Sequence, residues 1–245
     1  MNVAMRIAVL GASGVLGRAV TKAAASHTIV PASRRTGVDV TTGEGLAKAF
    51  QGADVVIDAT NAMEGARDVL VLGTKRVLEA ARDAGVKHFV GISIVGIDDG
   101  PVDYYRVKVE QEKVIEQSPI PWSLLRATQF HDLVPRFVKG ALGVVPIPSG
   151  WKLQPIDVSE VAAELVRAVE AGPQKRMPDI GGPEVREMID LARAWHRAKK
   201  QTRLIFPFSV PGKVGAFLRS GKLCTERPFG TITFEKWLGD MTHPE

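Results

Sequence analysis

The chain has 245 residues, 45% of them apolar and 24% charged, enough for one substantial core or a large domain with a small appended lobe. Its formal charge of +5 is dispersed, in doublets such as Arg34-Arg35 and Lys199-Lys200, with no basic stripe interleaved with aromatic residues; that pattern argues against a nucleic-acid partner. A single cysteine, Cys224, excludes an intrachain disulfide and a cysteine-based zinc site, and five widely spaced histidines give no ligand pair, so no metal is expected.

The first 126 residues alternate short apolar runs with longer helical patterns. Residues 6–10 (RIAVL) read as a strand and 15–25 as a helix. Residues 28–32 (TIVPA) form a second strand weakened by Pro31. A short helix over 45–50, a strand over 54–57 (DVVI) and a long helix over 65–84 follow. Then come a strand at 88–92 (HFVGI), a helix over 104–117 and a strand at 122–126 (WSLLR). Strands this short and continuously apolar are covered on both faces, as in a parallel sheet wrapped by helices. The repeated βαβ order predicts an α/β, doubly wound parallel sheet, a Rossmann fold.

After residue 126 the pattern changes. Residues 143–155 are rich in proline and glycine, and amphipathic segments follow at 158–170 and 183–199. Residues 203–218 (RLIFPFSVPGKVGAFL) are more apolar than a surface tail, and Phe206, Phe208 and Phe217 are expected to cover a pocket or a partner. The expected division is a cofactor-binding core at 1–126 and, at 127–245, mostly a C-terminal substrate lobe packed on the strand ends. No apolar run approaches the roughly 18 residues of a membrane span, and the N-terminus has no basic n-region. A cytoplasmic protein is expected.

Between the first strand and first helix lie Gly11, Gly14 and Gly17, spaced G-x-x-G-x-x-G. In that context Gly11 permits a tight turn, Gly14 lets backbone approach a pyrophosphate, and Gly17 lets helix and strand pack closely. The helix start offers free N–H groups to phosphates, and Ser13 adds a hydroxyl. The competing reading is a glycine-rich turn with no ligand. After the second strand the chain reads Ser33-Arg34-Arg35-Thr36, with no carboxylate to meet ribose hydroxyls. Guanidinium forks suit a 2′-phosphate, which selects NADP(H). Otherwise Arg34 and Arg35 are ordinary loop charges.

Tyr104 and Lys108 are four apart and share a helix face. An adjacent ammonium is expected to stabilise the phenolate and to hydrogen-bond a nicotinamide ribose. Tyr105, about 100° away by helical geometry, is the internal rival. Ser93, closing the fourth strand, is either a donor to a substrate carbonyl or a turn residue.

The segments VLGASGVLGRAV, GADVVIDATNA, HFVGISIVGID, YYRVKVEQEKVI and PWSLLRATQFHDL together resemble the short-chain dehydrogenase/reductase superfamily, in its atypical, NmrA-like NAD(P)H-binding branch. QPIDVSEVA and DIGGPE continue the likeness. The resemblance implies that Gly11, Ser13, Gly14, Val15, Leu16 and Gly17 line the pyrophosphate and that Ser33, Arg34 and Arg35 hold the adenosine phosphate. It puts Asp39 and Val40 by the adenine and runs Ala59, Thr60 and Asn61 beneath the cofactor. Lys108 carries over as the ribose-binding lysine, Tyr104 as the catalytic tyrosine, and Ala127, Thr128 and Phe130 as neighbours of the nicotinamide. The spacing of 11 residues from Ser93 to Tyr104 departs from a serine–tyrosine–lysine triad. The implied activity is NADPH-dependent reduction of a small carbonyl or quinone-like substrate. The alternative is an NADP(H)-sensing regulator without turnover. No motif specifies the substrate, and Phe130, His131, Trp151 and Phe206 serve equally as pocket or core.

Overall fold

A computed structural model of the chain describes residues 4–139 and 143–242. In chain order its elements are β1 (Arg6–Leu10), α1 (Val15–Ala23), β2 (Thr28–Ala32), α2 (Leu46–Phe50), β3 (Val55–Asp58), α3 (Gly73–Asp83), β4 (His88–Ile94), α4 (Asp103–Glu116) and β5 (Trp122–Ala127). Then follow α5 (Val134–Val138), β6 (Val144–Pro148), β7 (Lys152–Leu153), α6 (Val158–Ala171), β8 (Lys175–Arg176) and β9 (Arg186–Glu187). The chain continues through α7 (Met188–Ala198), β10 (Leu204–Phe208), α8 (Gly212–Ser220) and α9 (Phe234–Thr242).

The chain divides into two compact units. The first comprises the residues up to Ser93, Asp103–Arg126 and Ser159–Pro178; the second comprises Ile94–Val102, Ala127–Val158 and the residues from Asp179 on. The first unit thus takes α6 and β8 from beyond residue 126.

A six-stranded sheet in the order β2-β1-β3-β4-β5-β8 forms the first unit, with β1 parallel to both β2 and β3. This is the expected doubly wound α/β sheet. Alternation along β1 explains why its run is continuously apolar. Ile7 and Val9 point to one face and Ala8 and Leu10 to the other, and all four are fully buried. Ala8 and Leu10 pack with Leu46 and Phe50 of α2, Val77, Leu78 and Ala81 of α3, and Ile115 of α4. Buried side chains such as Phe50 and Phe89 each contribute about 1.5–3 kcal/mol. Pro31 is tolerated because β2 is the sheet edge, paired only with β1.

The helix expected over 65–84 runs over 66–83, with a wide, π-type turn at Asp68–Leu72 leading into α3 at Gly73. Leu70 and Val71 of that turn are buried, as is Thr74 of α3, 1% exposed.

In the second unit, β6 and β10 pair in parallel and β7 and β9 antiparallel. Val145, Ile147, Met188, Leu191, Trp195, Phe234 and Trp237 belong to one core. The 203–218 segment divides: Phe217 is buried, whereas Phe206 and Phe208 stay exposed on β10.

Because β1 is followed at the switch point by a turn of bare backbone, Gly17 has no room for a side chain. A Cβ there would lie 2.1 Å from the Gly11 carbonyl oxygen. Gly17→Ala is expected to destabilise the protein by about 1–3 kcal/mol, read as a fall in melting temperature of roughly 2–4 °C per kcal/mol. An unchanged melting temperature would disprove this crowding.

Candidate cofactor and proton-transfer site

The loop leaving β1 is drawn tightly against the loop leaving β3. Gly11 sits at φ +69°, and a Cβ on it would come within 2.6 Å of the Ala59 carbonyl oxygen. Its own carbonyl accepts from the Gly14 N–H at 2.8 Å. Gly14 then opens α1 with extended backbone, no side-chain capping bond and no carboxylate in the first turn. The leading N–H groups of Val15, Leu16 and Gly17 are thus left for an external acceptor. Beside the loop, the Arg18 guanidinium donates to the Ser13 carbonyl at 2.5 Å, which spends it locally.

The corner after β2 is held rigidly. The Ser33 N–H donates to Thr36 Oγ1 at 2.9 Å, Thr36 Oγ1 donates to the Pro31 carbonyl at 3.1 Å, and Gly37 closes the turn at φ +77°. Arg34 and Arg35 project from this corner, exposed. Neither forms an ion pair among the described residues. Asp39 is engaged locally, accepting from the Thr41 N–H and hydroxyl at 2.8 and 2.7 Å; those bonds, helped by Arg34, hold its carboxyl below the usual range. Val40 packs against Gly73 of α3. These groups fit a phosphorylated dinucleotide: bare backbone, unspent amides and two unpaired cations on one sheet edge.

At the end of β3, buried Asp58 accepts from the Thr60 N–H and hydroxyl at 2.9 and 2.7 Å, which shapes the Ala59–Thr60–Asn61 turn. Burial raises its carboxyl pKa against the pull of those bonds. Asn61 reaches α4: the Tyr104 hydroxyl donates to its Oδ1 at 2.8 Å. Sequence spacing does not reveal that pairing, which joins residues 43 apart.

Lys108 points elsewhere than expected. It is 4% exposed, and its ammonium donates to the Ile92 carbonyl at 2.9 Å and to Gln111 Oε1 at 2.6 Å. Gln111 in turn donates to Thr74 Oγ1 at 3.0 Å. Desolvation lowers the Lys108 pKa to about 8, opposed by the charges of Asp58 and Glu112. The expected lowering of the Tyr104 phenol does not occur. Burial raises it, the Asn61 bond offsets only part, and Lys108 is not among the groups that shift it. Tyr105 is pushed up to about 12 by burial and by Tyr104, whose ring lies 5.9 Å away.

Ser93 is buried on β4 beside Glu112. Burial works against the Glu112 charge, but hydrogen bonds from Arg126 and the charges of Arg126 and Arg176 hold its pKa below the usual value. The Arg126–Glu112 pair is bidentate, at 2.8 and 2.7 Å, both side chains 5% exposed, with Arg176 joining at 3.1 Å. Sequence reasoning missed this pair, because its members lie on different elements.

Ala127, Thr128 and Phe130 belong to the second unit. Ala127 bridges to Ile180 and Phe130 to Ile156 in parallel fashion. The Thr128 hydroxyl donates to the Gln154 carbonyl at 2.5 Å and accepts from the Gly182 N–H at 3.3 Å. Gln129 and Gln154 extend this buried network to Leu223 and Thr225.

A family model described as NAD(P)H-binding matches residues 11–171. Among curated proteins, the chain is similar to a (4-alkanoyl-5-oxo-2,5-dihydrofuran-3-yl)methyl phosphate reductase of Streptomyces griseus, 29% identical over 198 residues that cover 73% of this chain and 68% of that protein. It is similar also to the photosystem II assembly factor Ycf39 of a Synechocystis species, 28% identical over 200 residues, 68% of this chain and 59% of that one. Among solved structures, an NADPH-dependent quinone oxidoreductase of Escherichia coli, complexed with NADPH, superposes with a TM-score of 0.73. The identity is 20%, over 97% of this chain and all of the other.

Lys108 makes a pH prediction. Its ammonium binds a proton less tightly folded than unfolded. Between about pH 8 and the 10.5 of a free lysine the unfolded chain therefore holds more protons, and stability rises with pH. Between pH 8 and 10 the rise is on the order of 2 kcal/mol. Urea denaturation at pH 8 and 10 should show it in the native protein and not in Lys108→Met; equal slopes in the two proteins would refute the buried ammonium.

Proposed function

The chain belongs to the NAD(P)H-binding family, and from that premise we propose that it is an NADPH-dependent reductase of a small carbonyl or quinone-like substrate. The observation that carries this reading is Tyr104. Its phenol, raised by burial, stays protonated at neutral pH, and its hydroxyl is held by Asn61 at the end of β3. The names of the Streptomyces reductase and the Escherichia coli quinone oxidoreductase lend support.

In this reading the amides opening α1 and the loop Gly11–Gly14 bind the pyrophosphate, with Ser13 adjoining. Ser33, Arg34 and Arg35 take the 2′-phosphate, and Asp39 and Val40 border the adenine. Ala59, Thr60 and Asn61 support the nucleotide from below, and Ala127, Thr128 and Phe130 border the nicotinamide. When bound, the reduced cofactor supplies a hydride. Tyr104 Oη supplies the proton to the substrate oxygen, as a general acid. Asn61 fixes the direction of that hydroxyl. Lys108 acts through position, bracing β4 against α4. Ser93, facing Glu112, is assigned to support of α4 as well as to the catalytic set. Residues beyond 126 that join the second unit are read as the substrate lobe.

A regulator that binds NADP(H) without turnover is the second reading. It is favoured by the internal use of the Lys108 ammonium and by the likeness to an assembly factor. NADPH oxidation against a panel of quinones and aldehydes separates the two. Tyr104→Phe is expected to lower kcat by about 10²-fold or more while the calorimetric Kd for NADPH holds. Equal rates remove Tyr104 from the mechanism, and no turnover with tight NADPH binding selects the regulator.

Arg34→Ala with Arg35→Ala tests the dinucleotide. Loss of exposed charge-assisted bonds is expected to weaken NADPH about tenfold or more and to leave NADH within about twofold. Unchanged discrimination between the two would overturn the choice of NADP(H).

A further inference from the structure

The second unit presents an apolar face that the cofactor site does not use. In the β6–β10 ribbon Leu204 lies beside Val144, Phe206 beside Pro146 and Phe208 beside Pro148. Side chains alternate along a strand, so these six share one face. The other face carries Val145 and Ile147, both buried, and Ile205. The shared face is open: Leu204 is 66% exposed, Phe206 56%, and Phe208 and Val144 38% each. Beside it is a cavity of about 440 Å³, lined by Pro146, Pro148 and Phe208 together with Phe137, Trp151 and Val214. Among the described residues the Trp151 indole N–H, shielded from solvent, has no acceptor. A contiguous apolar patch of this kind marks an interaction surface.

The segments that build this face are basic. Residues 199–222, which build β10 and α8, contain Lys199, Lys200, Arg203, Lys213, Arg219 and Lys222 and no Asp or Glu. Residues 134–152, which build β6, contain Arg136, Lys139 and Lys152 and again no acid. Lys222 is neutralised by Asp99 at 2.9 Å, and Lys199 lies over the Trp195 ring. Lys139, Arg203 and Lys213 are exposed.

We propose that this face docks on an anionic lipid bilayer, with Leu204, Phe206 and Phe208 entering the acyl boundary and the basic rim meeting headgroup phosphates. Charge complementarity selects that occupant. A second copy of the chain would set cations against cations. A protein strand adding to the ribbon would meet Pro146, Pro148 and Pro207, which offer no N–H. A protein partner would also find no polar side chain at the centre of the face, where interfaces carry hydrogen bonds. Among the described residues no helix is long and apolar enough to cross a membrane, so the contact is peripheral.

Flotation of the full chain with phosphatidylglycerol vesicles, against phosphatidylcholine vesicles, tests this. Binding to the anionic vesicles only is expected, weakened at least about fivefold between 0.05 and 0.5 M NaCl. Phe206→Asp with Phe208→Asp should reduce it at least about tenfold, with the melting temperature and the Kd for NADPH retained. Arg203→Glu with Lys213→Glu leaves the apolar face intact and should reduce it too. Four results would overturn the proposal: no vesicle binding by the native chain, binding by both variants equal to that of the native chain, dimerisation through this face in sedimentation, or uptake of a monomeric anionic detergent without vesicle binding.

Discussion

The first unit depends on one steric constraint: two loops must touch backbone to backbone where the strand order of the sheet reverses. Gly11 faces the Ala59 carbonyl, and Gly17 faces the Gly11 carbonyl, at separations that exclude a single carbon atom. That closeness draws the start of α1 onto the carboxyl ends of β1 and β3, and it leaves amides, not side chains, at the mouth of the crevice. The pyrophosphate assignment follows from that bare edge. A cap on Gly14 or a carboxylate in the first turn would occupy the same donors.

Behind the edge lies a second layer of order, made of buried charge. The Arg126–Glu112 pair and the Lys108–Gln111–Thr74 chain join β5, β4, α4 and α3. Such groups rarely add net stability, since desolvation consumes most of the Coulomb gain. Their effect is geometric. An ammonium at Ile92 and a carboxylate at Arg126 fix the rotation of α4, and that rotation delivers Tyr104 to Asn61. A lysine whose ammonium is anchored in the interior bears on the phenol through the placement of α4.

The sheet was readable from residues alone because each strand is a short apolar run bounded by turn residues. β1 and β2 have the expected bounds, and α4 and β5 differ from theirs by a residue. The wide turn at Asp68–Leu72, which lies against α4, carries no local signal in the sequence. Spacing put Tyr104 and Lys108 on one face, but it says nothing about where a long side chain ends, and Lys108 ends in the interior. Arg126 with Glu112, Tyr104 with Asn61, and β6 with β10 are partnerships across 14, 43 and about 60 residues, visible only once the chain is folded. The basic excess, dispersed when counted along the whole chain, concentrates around the ribbon when counted by element.

Pro146, Pro148 and Pro207 have a consequence for the life of the protein at high concentration. An open, two-stranded apolar ribbon is the kind of element that seeds fibrils, because a free edge templates the next chain. Three missing donors within two short strands break any continuous ladder before it can propagate. The chain is therefore able to present a sticky surface without its strands stacking into amyloid.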